Sequence, residues 1–208
     1  MAARRKLWKA SQPFVDPSRL VFLDETGVNT KMARLYGWSP VGERCHDSAP
    51  FGHWKTMTFV AALRLGGLTA PWVLDGPMDG EAFRVYVRQV LAPTLRRGDI
   101  VVLDNLPAHK VAGISEAIKA RCAQIFYLPP YSPDMNPIEM AFSKLKALLR
   151  QDPARSIDSL IERIGHLLHS FTSAECPNFF QAADINAHSE NALATRMQHD
   201  RANRWLQA

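Results

Sequence analysis

The stretch of sequence that decides the fold is FYLPPYSPDMNPIEMAFSKLKALLR, residues 126–150. The three prolines in PPYSP fix φ and disfavour helix, so the apolar residues before them are predicted to be a strand that runs into an extended connection. Asn136 is then predicted to cap a helix that Pro137 opens at its first position. Apolar residues recur at three- and four-residue steps from Ile138 to Leu149, which predicts one buried helix face.

Glu139 lies off that apolar face, on a polar stripe. At 100° per residue, the stripe also contains Ser143, Lys146 and Arg150, all within about 40° of Glu139. A carboxylate three residues after Asn136 is placed to reach back to the amide of the cap and to meet the favourable end of the helix dipole. Taken alone, this position favours a capping role. The other acids of the chain favour a catalytic one.

Composition limits the class of protein. The chain has 208 residues, 47% hydrophobic and 22% charged, which is typical of one globular domain with a full-sized core and excludes a disordered protein. The formal net charge of +5 is compatible with a polyanionic partner without requiring one. Three well-separated cysteines favour a reducing compartment over a zinc site or a disulfide framework. No apolar run is long enough for a membrane span or a signal peptide, so we expect a cytoplasmic protein without a membrane partner.

The chain divides by composition into three parts. Residues 1–19 carry several cations around Trp8 and are predicted to be a basic N-terminal arm or linker. Residues 20–180 are predicted to form the folded domain. Residues 181–208 are polar, with Trp205 as the one strong apolar anchor, and are expected to be a tail with a short helix or no fixed structure.

Hydrophobic patterns predict an α/β domain. A buried apolar run comes first, followed by two alternating runs joined by Gly66-Gly67, which is typical of a hairpin. Strands are predicted over residues 20–23, 55–65, 68–75, 100–103 and 124–128. Helices are predicted over residues 80–95, bent or ended by Pro93, 110–121 and 137–150. The order β-β-β-α-β-α-β-α indicates a mixed five-stranded sheet flanked by helices, in which the first and fourth strands can lie side by side.

Two predicted strands end in an aspartate, Asp24 and Asp104. If these strands are neighbours, both carboxylates lie at one edge of the sheet. Together with Glu139 they would form an oxygen-only cluster of the kind that binds two Mg²⁺ or Mn²⁺ ions for in-line displacement at phosphorus. Glu25 points to the face opposite Asp24, so only one of the two is expected in a given site.

The residues alone leave a structural alternative open. Asp75, Asp79 and Asp99 also follow apolar runs or lie in turn-like contexts, where hydrogen bonds to the backbone suffice to explain an aspartate. The same explanation applies to each strand-end aspartate considered separately.

Three segments resemble the catalytic motifs of a known family. VFLDETG, VVLDNLPAHK and YLPPYSPDMNPIE, which contain Asp24, Asp104 and Glu139, are similar to the three motifs of the DDE transposases, in the bacterial insertion-sequence branch of the mariner-like superfamily. GHWKTMTFVAAL and APWVLDGPMDGEAF are also similar to that branch. The resemblance covers roughly residues 17–178, and the 34 residues between Asp104 and Glu139 match the spacing typical of the family.

The resemblance implies a ribonuclease H-like fold and metal-dependent cut-and-paste transposition. Water would first attack the phosphodiester at each element end, and the freed 3′ hydroxyl would then attack target DNA. Double-stranded DNA, both element ends and target, is the implied partner, and synapsis of two ends implies a dimer on DNA. The implied cofactor is a pair of Mg²⁺ or Mn²⁺ ions.

The resemblance also implies roles for individual residues. Asp24, Asp104 and Glu139 would be the catalytic metal ligands. Two residues of the second motif would support the site or contact DNA, and two cations of the last helix would suit phosphate contacts, with a solvated helix face as the alternative. These residues are Asn105, His109, Lys146 and Arg150.

Full-length members of the family carry an N-terminal helix-turn-helix region, which residues 1–19 are too short to contain. The chain therefore resembles a catalytic half. An inactive remnant that binds DNA or a full-length transposase without cutting remains an alternative, because binding phosphate does not require three carboxylates. A phosphatase with Asp24 as nucleophile is disfavoured, because DET lacks a second aspartate two residues on.

Overall fold

The computed structural model describes residues 2–46 and 53–185. Its centre is a five-stranded mixed sheet in the order β3-β2-β1-β4-β5. The strands are β1 Leu20–Asn29, β2 Thr56–Arg64, β3 Gly67–Asp75, β4 Ile100–Leu103 and β5 Gln124–Tyr127. Strands β1 to β3 pair antiparallel, whereas β4 is parallel to both β1 and β5. The predicted mixed sheet, with the first and fourth strands side by side, is confirmed.

Six α-helices flank the sheet in the described ranges. They are α1 Ala2–Ser11, α2 Gly80–Tyr86, α3 Ile114–Lys119, α4 Ile138–Gln151, α5 Ile157–Leu168 and α6 Cys176–Ala182. A π-helical turn (Val87–Leu91) and a 3₁₀ turn (Ala92–Thr94) follow α2, so the chain leaves helix at Pro93 as predicted. Further 3₁₀ turns lie at Gln12–Phe14, Pro17–Arg19, Pro107–Lys110 and Pro133–Met135.

Helix α3 is shorter than the predicted helix over residues 110–121. The 3₁₀ turn Pro107–Lys110 precedes it, and Gly113, at a φ of 92°, separates that turn from the helix. A left-handed residue cannot continue a right-handed helix. The rest of the predicted order is confirmed, with α1 added before the first strand and α5 and α6 after the last predicted helix.

Strand β1 is longer than predicted, and this changes the position of Asp24. The strand continues to Asn29 along β2, whereas its parallel pairing with β4 ends at Phe22 opposite Val102. Asp24 is therefore within a strand and not at its end, which corrects the sequence-based placement. It pairs with Ala61 on the β2 side and lies two residues beyond the last pair with β4. The sheet is thus open beside Asp24 on the β4 side.

The two faces of the sheet carry separate cores. Leu20 and Phe22 point to the face covered by α1, α4, α5 and α6, and Val21 and Leu23 point to the face covered by α2 and α3. This alternation follows from the two-residue period of a strand. The apolar face predicted for α4 is confirmed, since these residues are buried: Ile138, Ala141, Phe142, Leu145 and Leu149.

Residues 1–19, predicted as a basic arm or linker, contain the packed helix α1. Trp8 is only 3% exposed, and its ring stacks on Phe126 with 4.7 Å between centroids. Arg5 forms an ion pair of 2.5 Å with Asp134 in the connection before α4. The prediction of an arm or linker rested on the cations and is corrected here. Trp8, which lies among these cations, is a buried residue that anchors the helix.

The predicted tail begins inside folded structure. Position 180 lies within α6, and Ala183 and Ile185 are buried beyond it. Lys9 of α1 also forms an ion pair of 2.7 Å with Asp184. The remainder of the tail, including Trp205, lies outside the described residues. Within the described ranges, no helix combines the length and apolarity needed to cross a membrane.

We expect Trp8→Ala to lower the free energy of unfolding by about 3 kcal/mol, because truncating a buried aromatic leaves a cavity and loses the stack on Phe126. Urea denaturation of the two proteins measures the difference. Leu7→Ala is the matched control, since Leu7 is the neighbouring residue of the same helix and is 49% exposed; we expect a change within about 0.5 kcal/mol. Equal effects of the two substitutions would show that α1 is not anchored through Trp8.

Candidate active site

Asp24 is a nearly buried carboxylate with two hydrogen-bond donors. It is 8% exposed. Its Oδ1 accepts from the backbone N–H of Glu25 at 2.8 Å, and its Oδ2 accepts from Nδ2 of Asn136, also at 2.8 Å. Asn136 is itself buried and lies just before α4. The hydrogen bond therefore joins the middle of the sheet to the start of the helix that carries Glu139.

This role of Asn136 corrects the predicted helix cap. The α4 helix begins at Ile138 after Pro137, and no side-chain hydrogen bond caps it. The amide of Asn136 turns towards Asp24 instead, and its Oδ1 has no partner among the described residues. A buried carboxylate without donors is costly, and the Asn136 amide supplies one of the two donors to Asp24.

Glu139 does not form the capping box considered above. The backbone N–H of Asn136 donates to the carbonyl of Pro133 at 3.0 Å, so it is already satisfied without the Glu139 side chain. Glu139 is exposed in the first turn of α4. Glu139 therefore does not have the capping role that its position in the sequence favours.

Asp104 is the first residue after β4 and contacts a buried histidine. Its Oδ1 lies 2.5 Å from Nδ1 of His109, although this contact is not aligned as a hydrogen bond. On the other side of the ring, Nε2 of His109 is 3.2 Å from Oε2 of Glu25. The side chain of His109 thus bridges a carboxylate of β1 and a carboxylate that follows β4.

His109 is fixed in place by its surroundings. It is fully buried, its ring lies 4.2 Å from the ring of Phe83, and its backbone carbonyl accepts a hydrogen bond of 3.0 Å from the Tyr127 hydroxyl. Burial lowers the pKa of His109, but the contacts with Asp104 and Glu25 outweigh burial and raise it to about 9. Both ring nitrogens face acceptors, which matches an imidazolium with two N–H groups.

Both predicted partners, Asp104 and Glu139, act on the pKa of Asp24. This pKa is raised to about 8, mainly by burial and in smaller part by the charges of Glu25, Glu139 and Asp104. The hydrogen bond from the backbone of Glu25 opposes the shift. Asp104, after β4, and Glu139, in α4, therefore each lie within electrostatic reach of Asp24 in β1.

The donor set fits a hard divalent cation by its chemistry. Carboxylate oxygens are the ligands that Mg²⁺ and Mn²⁺ prefer, and a cation would relieve the repulsion that raises the pKa of Asp24. Across residues 2–46 and 53–185, however, no three His, Cys, Asp or Glu side chains are already arranged as a metal-binding group. Asp104, which now contacts His109, and the exposed Glu139 are the two carboxylates with room to reorient.

The remaining predicted site residues lie further out. Asn105 is half-buried in the turn after Asp104. Lys146 and Arg150 are half-buried on α4, and neither forms an ion pair within the described part of the chain. At 1.5 Å per residue they lie about 10 and 16 Å along the helix from Glu139. The structure does not bring these two cations to the carboxylates.

The competing acids have structural roles. The buried carboxylate of Asp99 accepts from Arg64 at 2.6 Å and from the backbone of Arg96 at 2.7 Å. Asp79 caps α2 by accepting from the backbone of Ala82 at 2.8 Å. Backbone hydrogen bonds, as the sequence indicated, explain Asp79 and in part Asp99, which is also held by the more distant Arg64.

Sequence reasoning missed two residues of the site, Glu25 and Asn136. The assignment of Glu25 to the face opposite Asp24 excluded it, yet from that face it reaches Asp104 through His109. Asn136 was assigned to a cap because Asn before Pro at a helix start is typical of one. Neither contact has a signal in local sequence, since each joins residues more than 80 positions apart.

The fold and the site now define a class. An antiparallel meander followed by two parallel strands, with helices on both faces, is a ribonuclease H-like arrangement, which the catalytic domain of the Mos1 transposase shares. The model of one family, described as DDE superfamily endonuclease, matches residues 19–161. The chain belongs to the DDE superfamily endonucleases. Comparison with curated protein sequences gives no match.

Solved structures of the Mos1 mariner transposase are similar to this chain. Its catalytic domain matches with a TM-score of 0.63 at 12% identity, over 89% of this chain and 87% of that one. The Mos1 paired-end complex with left transposon end gives 0.67 at 14% identity, over 89% and 57%. The Mos1 paired end complex with Mn gives 0.68 at 13%, over 88% and 58%. The chain thus spans less than two thirds of these longer transposase chains, and at such identities the likeness concerns the fold.

We expect the stability of the protein in EDTA to fall as pH rises. The pKa of Asp24 is raised from 3.8 to about 8, so the native state holds this proton more tightly than the unfolded chain does, and the stabilisation is lost as pH rises through about 8. His109, raised from 6.5 to about 9, adds a further loss through about pH 9. Asp24→Asn should remove up to about 4 kcal/mol of the decline between about pH 5 and pH 8.

Urea denaturation at both pH values measures this effect. Asp79→Asn is the matched control, because Asp79 is an exposed cap whose substitution leaves the site intact. A natural sequence that becomes more stable between pH 5 and pH 8 would contradict the assigned protonation of Asp24.

Proposed function

We propose that this chain is the catalytic part of a DNA transposase, which cuts DNA strands at the ends of a mobile element and joins them to target DNA. The observation that carries the proposal is the 2.8 Å hydrogen bond from Asn136 to Asp24, which, with the parallel pairing of β1 and β4, supports a common site for Asp24, Asp104 and Glu139. Membership of an endonuclease family and likeness in fold to a transposase catalytic domain support it.

In this proposal the three carboxylates hold two Mg²⁺ or Mn²⁺ ions. Bound there, the ions would activate the attacking hydroxyl and stabilise the leaving oxygen at phosphorus. The similar Mos1 structures include paired end complexes with Mn and with Mg, which supports this choice of ion. Asp24, held by Asn136 and nearly buried, provides the fixed ligand, whereas the more exposed Asp104 and Glu139 complete the site from its open side.

Glu25 and His109 act in this proposal as positioning residues. The buried imidazole lies between Glu25 and Asp104, so it limits how far the Asp104 carboxylate turns. Its positive charge also offsets part of the repulsion among the acids. The partners that hold a metal ligand commonly set its orientation and affinity.

The proposed partner is double-stranded DNA, both element ends and target. The Mos1 structures that resemble this chain include a paired-end complex with a transposon end and a strand transfer complex. We propose a dimer on DNA, because two ends must be joined, and a cytoplasmic protein that associates with the nucleoid when bound. Lys146 and Arg150 suit phosphate contacts along α4, and membership of the bacterial insertion-sequence branch is part of the same proposal.

The phosphatase alternative is disfavoured by the surroundings of Asp24. Thr26 occupies the position two residues after Asp24, where such a phosphatase would carry a second aspartate. The inactive remnant has no observation in its favour, and the experiment below separates it from an enzyme.

We expect Asp104→Asn to abolish Mn²⁺-dependent DNA cleavage and to lower Mn²⁺ affinity at least about tenfold, because one charged ligand is lost. Calorimetric titration with Mn²⁺ and gel analysis of nicked plasmid DNA measure the two effects. Asp75→Asn is the matched control, since Asp75 is an exposed acid at the end of β3. Undiminished cleavage by Asp104→Asn would refute the assigned site. DNA binding without cleavage or Mn²⁺ binding by the natural sequence would identify the inactive remnant.

Substitutions of His109 test the positioning role. An Asn side chain places its nitrogen near the imidazole Nδ1 and so retains a donor for Asp104, whereas Gln places its nitrogen near Nε2 and retains a donor for Glu25. We expect His109→Ala to lower Mn²⁺ affinity about 10–100-fold. His109→Asn should restore more of this affinity than His109→Gln.

Thermal unfolding of the three variants provides the control for folding. A purely structural histidine would make affinity follow stability, regardless of which nitrogen is mimicked. If Gln restores Mn²⁺ binding as well as Asn does, the contact between His109 and Asp104 has no role in holding the cation.

A further inference from the structure

Tyr131 is an exposed aromatic residue with a strained backbone. It lies in the connection between β5 and α4, its side chain is 87% exposed, and its φ is 54°. The left-handed region disfavours residues with a bulky side chain, and glycine or asparagine is the usual occupant. In the described ranges, the other non-glycine residues with positive φ are not aromatic: Ala70, Cys122 and Asp184.

The connection around Tyr131 is firmly held. Leu128 and Met135 are buried at either end of it. Ser132, also buried, accepts a hydrogen bond of 2.9 Å from Arg5 and lies 3.3 Å from the carbonyl of Pro130. The neighbours fix the path of the chain, while the tyrosine ring contributes little to the fold. The contacts of the neighbouring residues therefore hold Tyr131 in its exposed position.

The position of Tyr131 relates it to the candidate active site. Strands β4 and β5 are parallel neighbours with Leu103 opposite Tyr127, so the loops that follow them leave the same edge of the sheet. Asp104 begins one loop, and the other contains Tyr131 and ends at Asn136, which contacts Asp24. Tyr131 thus lies in a loop that leaves the same edge of the sheet as the loop that begins at Asp104.

We propose that Tyr131 forms a stacking subsite for an unpaired nucleobase of the DNA strand whose phosphodiester enters the active site. The face of an exposed tyrosine ring stacks on a base of any sequence, whereas a phosphate would require a cation or a set of hydrogen-bond donors. Strain of the backbone at a rigid, exposed position is typical of a residue that is held for a ligand. This inference rests on the proposed function, since it names the substrate group beside the same site.

Fluorescence of 2-aminopurine tests the subsite without strand cleavage. The probe is a short duplex with one unpaired 2-aminopurine nucleotide at its end and fluorescein at the far end, mixed with the full chain in Ca²⁺. Fluorescein anisotropy reports binding, and quenching of 2-aminopurine reports stacking on the base. A duplex with 2-aminopurine paired in its interior provides the reference for binding without stacking.

We expect the natural sequence and Tyr131→Phe to quench the unpaired probe on binding, and Tyr131→Ala to bind without quenching and about fivefold or more weakly. Tyr36→Ala is the matched control. Tyr36 is a tyrosine of the same exposure, 86%, with no positive φ, and it lies between β1 and β2, outside the loops that follow β4 and β5. Its substitution should leave quenching unchanged.

Thermal stability gives a second, independent readout. Tyr131→Gly relieves the left-handed strain but makes the unfolded chain more flexible, so we expect its Tm to stay equal or rise by up to about 4 °C. Its base quenching should nevertheless be lost. Loss of stacking without loss of stability separates a ligand-binding residue from a structural one.

Four outcomes would overturn the inference. Quenching that persists in Tyr131→Ala would show that the base stacks elsewhere. A marked fall in Tm for Tyr131→Gly would show that the tyrosine supports the fold. A change of oligomeric state for Tyr131→Ala in sedimentation, with base quenching unchanged, would assign the ring to a second copy of the chain. Absence of any DNA binding by the natural sequence would refute the proposed function itself, and the subsite with it.

Discussion

The structure around the site depends on the hydrogen bonds that stabilise the buried carboxylate of Asp24. Asp24 lies in the central strand, nearly buried, with three further acids close enough to raise its pKa. Burial and the repulsion from these acids both disfavour the ionised form of Asp24. Two hydrogen bonds from described residues favour the ionised form. The fold supplies these donors from the strand itself and from Asn136, and so the connection before α4 must approach the sheet at this point.

The connection before α4 is also the part of the domain that helix α1 contacts. Arg5 binds Ser132 and Asp134 in the segment that leads to Asn136, and Trp8 packs on Phe126 where the segment begins. Helix α1 therefore braces the chain that places both the donor to Asp24 and the start of α4. Two of its cations, Arg5 and Lys9, form ion pairs within the protein.

The sequence predicted what depends on local pattern. The order of the strands and the apolar face of α4 follow from periodicity. The choice of Asp24, Asp104 and Glu139 as a site rests on motifs with a fixed spacing and stays a prediction. The extension of β1 past Asp24 was missed because pairing with β2 outlasts the apolar run. Asn136 and Glu25 were missed because their partners lie far along the chain, and a side chain chooses between a local cap and a distant partner only after the fold has formed.

Exposure increases across the candidate site from the sheet outwards, and this gradient has a physical consequence. Asp24 is buried and fully hydrogen-bonded, Asp104 is half-buried and held on one side by His109, and Glu139 is exposed. In the proposed enzyme, a ligand that approaches from solvent meets the more exposed Glu139 and Asp104 before the nearly buried Asp24. The buried end can therefore set the geometry while the outer end adapts to the cation and to DNA, because reorienting an exposed side chain costs less than moving a buried one.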